Sequence, residues 1–176
     1  MKRDAPLELN QFIEANLKSE SDLLEAAVKD ITPQELAWRP CPQANHIGWI
    51  LWHMFRVEDF WIQFFAQRQP ELWERDGWHQ KFGLPTRDTG FGHTPEQVSN
   101  FPVLDLGEVL QYREAVRSAT LAYLRSLTPP DFDVLPRERR PDMTVGGMFR
   151  QILGELYQHQ GHIAYLKGLQ RAGSSG

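Results

Sequence analysis

One segment of the sequence, residues 45–67, limits the possible folds most strongly because it is apolar on more than one side. One stripe at helical spacing contains His46, Trp49, Ile50, His53, Val57, Phe60 and Phe64, and a second set off that stripe contains Trp52, Phe55 and Ile62. A helix with apolar side chains on several sides is buried between neighbours or at a subunit contact. We therefore expect a central helix, covered either by a second copy in a homodimer or by the connection that follows. Glu58 and Asp59 are interpreted as surface acids on its polar side.

Three other long segments show helical periodicity and cap signals: residues 6–31, with Pro6 in the first turn, residues 105–127 and residues 144–171. A capping box at Thr32 predicts a short helical turn after the first of them. No segment shows a convincing strand pattern, so the sequence predicts an all-α four-helix bundle. A long connection between the second and third helices allows these two to run parallel, which gives an up-down-down-up order. We expect one domain over residues 1–171, followed by a flexible tail at 172–176.

The connection at residues 68–103 is too long to be an ordinary loop of a small domain. Its large apolar residues argue against disorder, because they need a core: Leu72, Trp73, Trp78, Phe82, Leu84 and Phe91. We therefore expect a packed, lid-like excursion. His79 and His93 lie within it, and loop histidines are usually solvated unless a lid brings one over a functional site.

Composition narrows the class of protein. The net charge is −4 and the sequence contains no basic run, which argues against a nucleic-acid partner. No apolar run approaches the roughly 18 residues of a membrane span, and the N-terminus lacks a signal-peptide pattern. The single cysteine, Cys41, cannot form an internal disulfide, which agrees with a reducing compartment. We expect a soluble cytoplasmic protein that binds a small-molecule substrate, with no membrane partner.

A carboxylate and an imidazole lie on the inward side of the predicted last helix. Glu155 and His159 are four residues apart, so they share one face a turn apart. The apolar residues of the same broad side are Val145, Met148, Phe149, Ile152, Leu156, Ile163 and Leu166. A buried carboxylate is costly unless it is paired, hydrogen-bonded or bound to a metal. This cost is the reason to look for a third ligand on another helix.

His53, in the middle of the predicted second helix, is the candidate for that third ligand. A lone histidine between apolar neighbours is most simply a core residue that is hydrogen-bonded to a nearby group. Two histidines and one carboxylate from facing helices are, however, a common metal site in helical bundles. Three protein ligands also leave coordination positions open for water or substrate. From the pattern alone, both interpretations of His53 remain open.

Two further histidines are candidate catalytic groups. His46 precedes His53 by seven residues and shares its face, so it can line the pocket or carry a proton. His162 follows His159 by three residues and can act on the substrate or orient that ligand. The plainer interpretations are a partly exposed first-turn residue for His46 and a packing position between helices for His162.

Several segments together resemble the DinB/YfiT-like family. They are Leu36-Ala37-Trp38-Arg39-Pro40, Asn45-His46-Ile47-Gly48-Trp49-Ile50-Leu51-Trp52-His53 with Val57-Glu58 and Trp61, Asp88-Thr89-Gly90-Phe91-Gly92-His93-Thr94, and Glu155-x3-His159-x-Gly161-His162-Ile163. This resemblance covers nearly the whole chain. It implies a four-helix bundle, often dimeric, that holds a divalent metal, commonly zinc or nickel, with three side chains. Carried over residue by residue, these positions are His53, Glu155 and His159. Many members have histidine where this chain has Glu155; the branch resembling mycothiol-dependent maleylpyruvate isomerase has glutamate there.

Three functional hypotheses follow. In the first, the metal binds a low-molecular-weight thiol as thiolate for transfer to an electrophile, within a pocket walled by Trp49, Phe60 and the loop tryptophans. In the second, metal-bound water attacks a scissile bond, and His46 or His162 is the general base of a hydrolase. In the third, the protein is a stress-related binding bundle whose metal is structural, with His162 as a fourth ligand. Two histidines and a carboxylate also suit iron, so the ligand set does not fix the metal.

Overall fold

The structure, a computed structural model, describes residues 8–173, and within them it contains helices, turns and loops but no strand. The helices are α1 (Leu9–Val28), α2 (Pro33–Ala37), α3 (Ile47–Asp59), α4 (Leu72–Arg75), α5 (Trp78–Phe82), α6 (Pro95–Ser99), α7 (Leu106–Ser126) and α8 (Val145–Gly173). Helix α3 continues into a π-helical segment over Phe60–Ala66, and a 3₁₀ turn spans Pro129–Asp133. The predicted all-α fold is thus confirmed for this part of the chain. The predicted helix position of Pro6 lies outside the described residues, as does the predicted tail from residue 174 onward, whereas residues 172–173 belong to α8.

Side-chain caps begin three of these helices where the sequence predicts them. The Glu35 backbone N–H donates to the Thr32 hydroxyl over 3.2 Å, and the Thr32 N–H donates to the Glu35 carboxylate over 2.7 Å. The Asp105 carboxylate accepts from the N–H of Glu108 at 2.9 Å, and the Thr144 hydroxyl accepts from the N–H of Gly147 at 3.0 Å. Each cap satisfies a backbone donor that the first turn of a helix leaves without a partner.

The four long helices pack around one shared core. Helix α3 contacts both α7 and α8, and α1 contacts these same two helices. Polar contacts between α1 and its neighbours are Glu14–Arg125, Glu25–Arg113, Asn16–Tyr157 and Ala27–Lys167. They join the beginning of α1 to the end of α7, and successive turns of α1 to successive turns of α8.

Helix α3 is buried on several sides within the single chain. Trp52 and Phe55, which lie off its main apolar stripe, are completely buried. The Trp52 ring lies 6.1 Å from the ring of Trp73 in α4 and 4.9 Å from that of Phe101, just after α6. The connection is therefore packed, as predicted, and it covers this side of α3. Burial of α3 gives no support to a homodimer, which stays a prediction.

The interpretation of Glu58 as a surface acid is wrong, because its side chain is buried in an ion-pair cluster. The Arg117 guanidinium of α7 donates to both oxygens of Glu58, at 2.9 and 3.0 Å, and to Glu20 of α1 at 2.9 Å. Burial is the largest influence on Glu20 and raises the pKa of its carboxyl group above the ordinary value. Arg117 of α7 thus links Glu58 of α3 to Glu20 of α1.

Asp59 is also buried rather than exposed, and it fastens the connection to the helices. Its carboxylate accepts from the backbone N–H groups of Leu72 and Trp73, at 3.0 and 2.9 Å, at the start of α4. The Tyr112 hydroxyl donates to it over 2.8 Å, and Arg56 donates over 3.3 Å. A single carboxylate therefore holds α3, α4 and α7 together.

Among the described residues, no helix is both long and apolar enough to cross a membrane.

Candidate metal centre

Helices α3 and α8 bring His53, Glu155 and His159 together. One potential ligand atom from each of these residues lies within 4.8 Å of the other two. The Nε2 atom of His159 lies 3.3 Å from the Glu155 carboxylate, as the four-residue spacing predicts. The rings of His53 and His159 lie 5.0 Å apart and nearly perpendicular. Three donors from two helices thus converge at one point.

The His53 ring is held from two sides. Trp49, one turn earlier in α3, stacks on it at 4.8 Å with an interplanar angle of 12°. The Nδ1 atom lies 2.5 Å from the backbone carbonyl oxygen of Thr89. Because a carbonyl only accepts hydrogen bonds, Nδ1 carries the proton, and the lone pair is on Nε2. This arrangement, a ring N–H donated to a carbonyl, is typical of histidines that bind metals.

The other two donors have supporting contacts on α8. Gln151 donates to the Oε1 atom of Glu155 over 3.0 Å, while Oε2 lies towards His159. The Nδ1 atoms of His159 and His162 lie 3.2 Å apart, so one of them donates to the other. If Nε2 of His159 binds a metal, its Nδ1–H donates to His162. The predicted catalytic role of His162 stays a prediction; its position fits the orientation of His159.

At His53 and Glu155 the direction of the pKa shift favours the form that binds a metal. Burial is the main cause that lowers the pKa of His53 below the ordinary value for histidine. The hydrogen bond from His159 is the main cause that lowers the pKa of Glu155. A neutral imidazole and an ionised carboxylate are the forms that bind divalent cations. The donor chemistry of the three residues therefore fits a divalent metal, and the Glu155 side chain is 27% exposed, so solvent reaches the site.

His46 is not a partly exposed first-turn residue, because it is buried and caps α3. Its Nδ1 atom accepts from the N–H of Trp49 over 3.1 Å, and its ring lies 5.9 Å from that of Phe101. Burial lowers the pKa of His46. These contacts involve none of the three candidate ligands, and the catalytic role of His46 stays a prediction.

The aromatic walls predicted for the pocket are only partly present. Trp49 contacts His53, but Phe60 packs with Trp61, Phe64 and Phe65 in a separate cluster. An open groove of about 230 Å³ has His162 in its wall, and its other lining residues are Pro40, Ala44, Asn45, Ile50, Tyr165 and Leu166. His162 thus contacts candidate ligand His159 and a mostly apolar groove.

The sequence interpretation missed the contacts that residues 88–93, which we call the strap, make with His53 and Trp49. Thr89 accepts from His53, and His93 is 11% exposed rather than solvated. The Trp49 indole N–H donates to Nδ1 of His93 over 3.1 Å, and His93 Nε2 lies 3.0 Å from both oxygens of Asp88. The one available signal was the glycine-rich piece from Asp88 to Thr94, which carried the family resemblance but no specific role. His79, the other loop histidine, contacts the Trp73 carbonyl over 3.1 Å.

Comparisons with known proteins identify the family of the chain and a similar fold. The family model described as the DinB superfamily matches residues 16–163. No curated protein matches the chain. A crystal structure titled as the conserved protein of a locus from Enterococcus faecalis has a similar fold, with a TM-score of 0.80 and 23% sequence identity over 90% of this chain and 95% of that one. Because the family model spans most of the sequence, this chain belongs to the DinB superfamily.

Proposed function

We propose that this protein is a divalent-metal-dependent enzyme that activates a low-molecular-weight thiol for transfer to an electrophile. The observation that carries the proposal is the convergence of His53, Glu155 and His159 at a point that solvent reaches. Membership of the DinB superfamily supports a metal-binding protein. Zinc or nickel fits the donor set, and iron fits the same two imidazoles and carboxylate.

The order and direction of the four long helices are also part of the proposal. We infer a four-helix bundle in up-down-down-up order, because the contacts of α1 with α7 are antiparallel and those with α8 are parallel. Along α3, His53 faces His159, whereas Phe60 and Phe65 beyond its end cluster with Met148, which comes earlier in α8. Helix α3 is therefore antiparallel to α8 and parallel to α7. In this order α3 and α8 present their ligands to each other at one level of the bundle.

The preference for thiol chemistry over other chemistry depends on Glu155. Its position corresponds to the glutamate of the branch resembling mycothiol-dependent maleylpyruvate isomerase. A bound divalent metal would supply Lewis acidity that favours the thiolate over the thiol at neutral pH. The thiol would lose its proton to solvent, which reaches the site, and sulfur would form a bond to the electrophilic carbon as a leaving group departs with its bonding electron pair. The apolar groove beside His162 offers space for the rest of a small substrate.

Metal content is the first test. Protein purified without an affinity tag is measured by elemental mass spectrometry, beside His53→Ala, Glu155→Ala and His159→Ala. We expect about one metal per chain in the wild type and a loss of metal in each variant that keeps its helical circular dichroism. Absence of metal from the wild type, even after reconstitution, would leave these residues as a core polar cluster.

Activity is the second test, and it separates the alternatives. Thiol transfer predicts metal-dependent loss of free thiol when a small thiol is mixed with an electrophile such as 1-chloro-2,4-dinitrobenzene. A hydrolase, for which the solvent access of the site is the favourable observation, would instead turn over ester or amide probes without thiol. A structural metal predicts neither activity, together with unfolding on chelation. Homodimer formation is a further proposal, to be tested by light scattering.

A further inference from the structure

We propose that the strap, residues 88–93, is a positioning device that fixes the tautomer and ring orientation of His53 and thereby sets the metal affinity of the site. The inference depends on the metal site of the proposed function. It adds a role for residues outside the three candidate ligands.

The first step is the hydrogen bond between His53 and Thr89. With its proton on Nδ1, donated to the Thr89 carbonyl, the ring has only the Nε2 lone pair for a metal. Without this acceptor either nitrogen could carry the proton, and a fraction of the molecules would present the wrong atom. Loss of such an orienting partner typically weakens metal binding about 10–100-fold.

The second step is the way in which the strap itself is held. Arg56 of α3 donates to the Asp88 carbonyl over 3.0 Å, and the Asp88 carboxylate accepts from the N–H of Gly90 at 2.8 Å. At the other end, the indole N–H of Trp49 donates to Nδ1 of His93, which therefore carries its own proton on Nε2, directed at Asp88. Both ends of the strap are thus attached to α3, the helix that carries His53.

The third step is the close approach of Gly90 to the ligand. Its φ angle is +81°, and a Cβ atom there would lie 2.7 Å from the Trp49 ring, 2.8 Å from the Trp52 ring and 3.2 Å from Nδ1 of His53. These are buried or stacked rings with little freedom to move. A side chain at this position must push the strap outward, away from His53. Only glycine lets the Thr89 carbonyl reach the imidazole.

Gly92 provides a matched control on the same strap. Its φ angle is +77°, so alanine there carries a similar backbone strain, but a Cβ atom would meet nothing within 4 Å. Gly90→Ala and Gly92→Ala therefore differ in the contact with His53 and its neighbouring rings, and resemble each other in backbone strain.

The experiment compares the two variants in two measurements. The first is the dissociation constant for Co²⁺, obtained by competition with a chromophoric chelator. The second is the ¹⁵N chemical-shift pattern of His53 in the metal-free protein, which distinguishes the two neutral tautomers. We expect Gly90→Ala to bind Co²⁺ about 10–100-fold more weakly and to lose the single Nδ1–H pattern, while Gly92→Ala stays within about 3-fold of the wild type.

Three results would overturn the inference: equal weakening by both variants, unchanged affinity in a folded Gly90→Ala protein, or a wild-type His53 that is not protonated on Nδ1. If Gly90→Ala does not fold, His93→Leu takes its place, because it removes the Trp49–His93 anchor and the His93–Asp88 bond within the strap. It should weaken Co²⁺ binding about 10-fold, and unchanged binding would contradict the role of the strap. The tautomer of His53 is measured in the metal-free protein. A wild type that never binds metal would therefore contradict the proposed function, while the effect of the strap on His53 would still be tested by the tautomer.

Discussion

At the scale of single residues, buried charges should contribute more to the stability of the fold than charges on its surface. Arg117 is 4% exposed and pairs with two buried carboxylates, those of Glu20 and Glu58. Arg125, two turns later on the same helix, pairs with Glu14 at the surface. Removing one member of a buried pair leaves an uncompensated charge in a poorly solvated place, whereas a surface pair is screened by water.

Replacement of Arg117 should therefore be severe. We expect Arg117→Met to lower the free energy of unfolding by about 3–5 kcal/mol, because Glu58 and Glu20 lose their shared cation. Urea unfolding followed by circular dichroism measures this change, with Arg125→Met as the control. If Arg117→Met and Arg125→Met lower the free energy of unfolding by similar amounts, burial does not determine how much the Arg117 ion pairs stabilise the fold.

The lowered pKa of the buried His46 side chain should make the stability of the protein depend on pH. Burial, assisted by the charge of Arg39, lowers the pKa of His46, so the unfolded chain takes up this proton at a higher pH than the folded one. Stability contributed by neutral His46 is therefore present above the ordinary pKa of about 6.5 and is lost as the pH falls towards the lower folded pKa. His46→Asn keeps a side-chain cap but removes the titrating group.

The test compares unfolding of wild type and His46→Asn between about pH 8 and pH 5. The wild type should lose stability more steeply on acidification, by at most about 1.4 kcal/mol per pH unit for one proton, while at pH 8 the titration makes no difference. Parallel pH profiles would contradict this role for His46.

At the scale of elements, the long helices were predictable and the attachment of the connection was not. Capping residues and helical periodicity locate α1, α3, α7 and α8 because these signals are local. The error over Glu58 and Asp59 has a physical cause: a helix that is apolar on several sides has little polar side to offer them. Their partners Arg117 and Tyr112 lie more than 50 residues away in sequence, and no local pattern specifies that pairing.

Asp59→Ala should loosen the connection as a unit. The substitution removes the acceptor for the N–H groups of Leu72 and Trp73 and a partner of Arg56. We expect amide hydrogen exchange, measured by mass spectrometry, to rise over residues 71–102 and to change little in α1 and α8. Global stability should fall by about 3 kcal/mol, because buried donors are left unsatisfied.

Asp59→Asn is the milder control for this experiment, since an amide oxygen still accepts hydrogen bonds. A uniform rise in exchange along the whole chain would mean that the connection does not open separately from the long helices.

At the scale of the whole molecule, the candidate site was predictable only where each residue follows the period of its own helix. Glu155 and His159 share a face because they are four residues apart, and His53 lies on the apolar stripe of its helix. The strap could not be derived in this way. Thr89 reaches His53 across 36 residues through a turn with two left-handed glycines, and that approach is fixed by packing against Trp49 and Trp52.

The last prediction concerns the stability of the whole molecule with and without metal. The buried core includes side chains from all four long helices, such as Leu17, Trp52, Val116 and Leu156, so the metal-free protein should stay folded. A metal that binds only the native state adds about 2.7 kcal/mol when its free concentration is 100 times the dissociation constant. For a chain of this size the added free energy corresponds to roughly 5–11 °C in melting temperature.

Differential scanning calorimetry with and without a chelator measures this shift, and Glu155→Ala should show almost none. A chelated wild type that keeps its helical circular dichroism at room temperature but melts earlier fits an open three-ligand site, in which the metal serves a reaction. A chelated wild type that unfolds at room temperature would identify the metal as structural, because its binding energy would then be supplying the folding energy. The size of the core favours the first result.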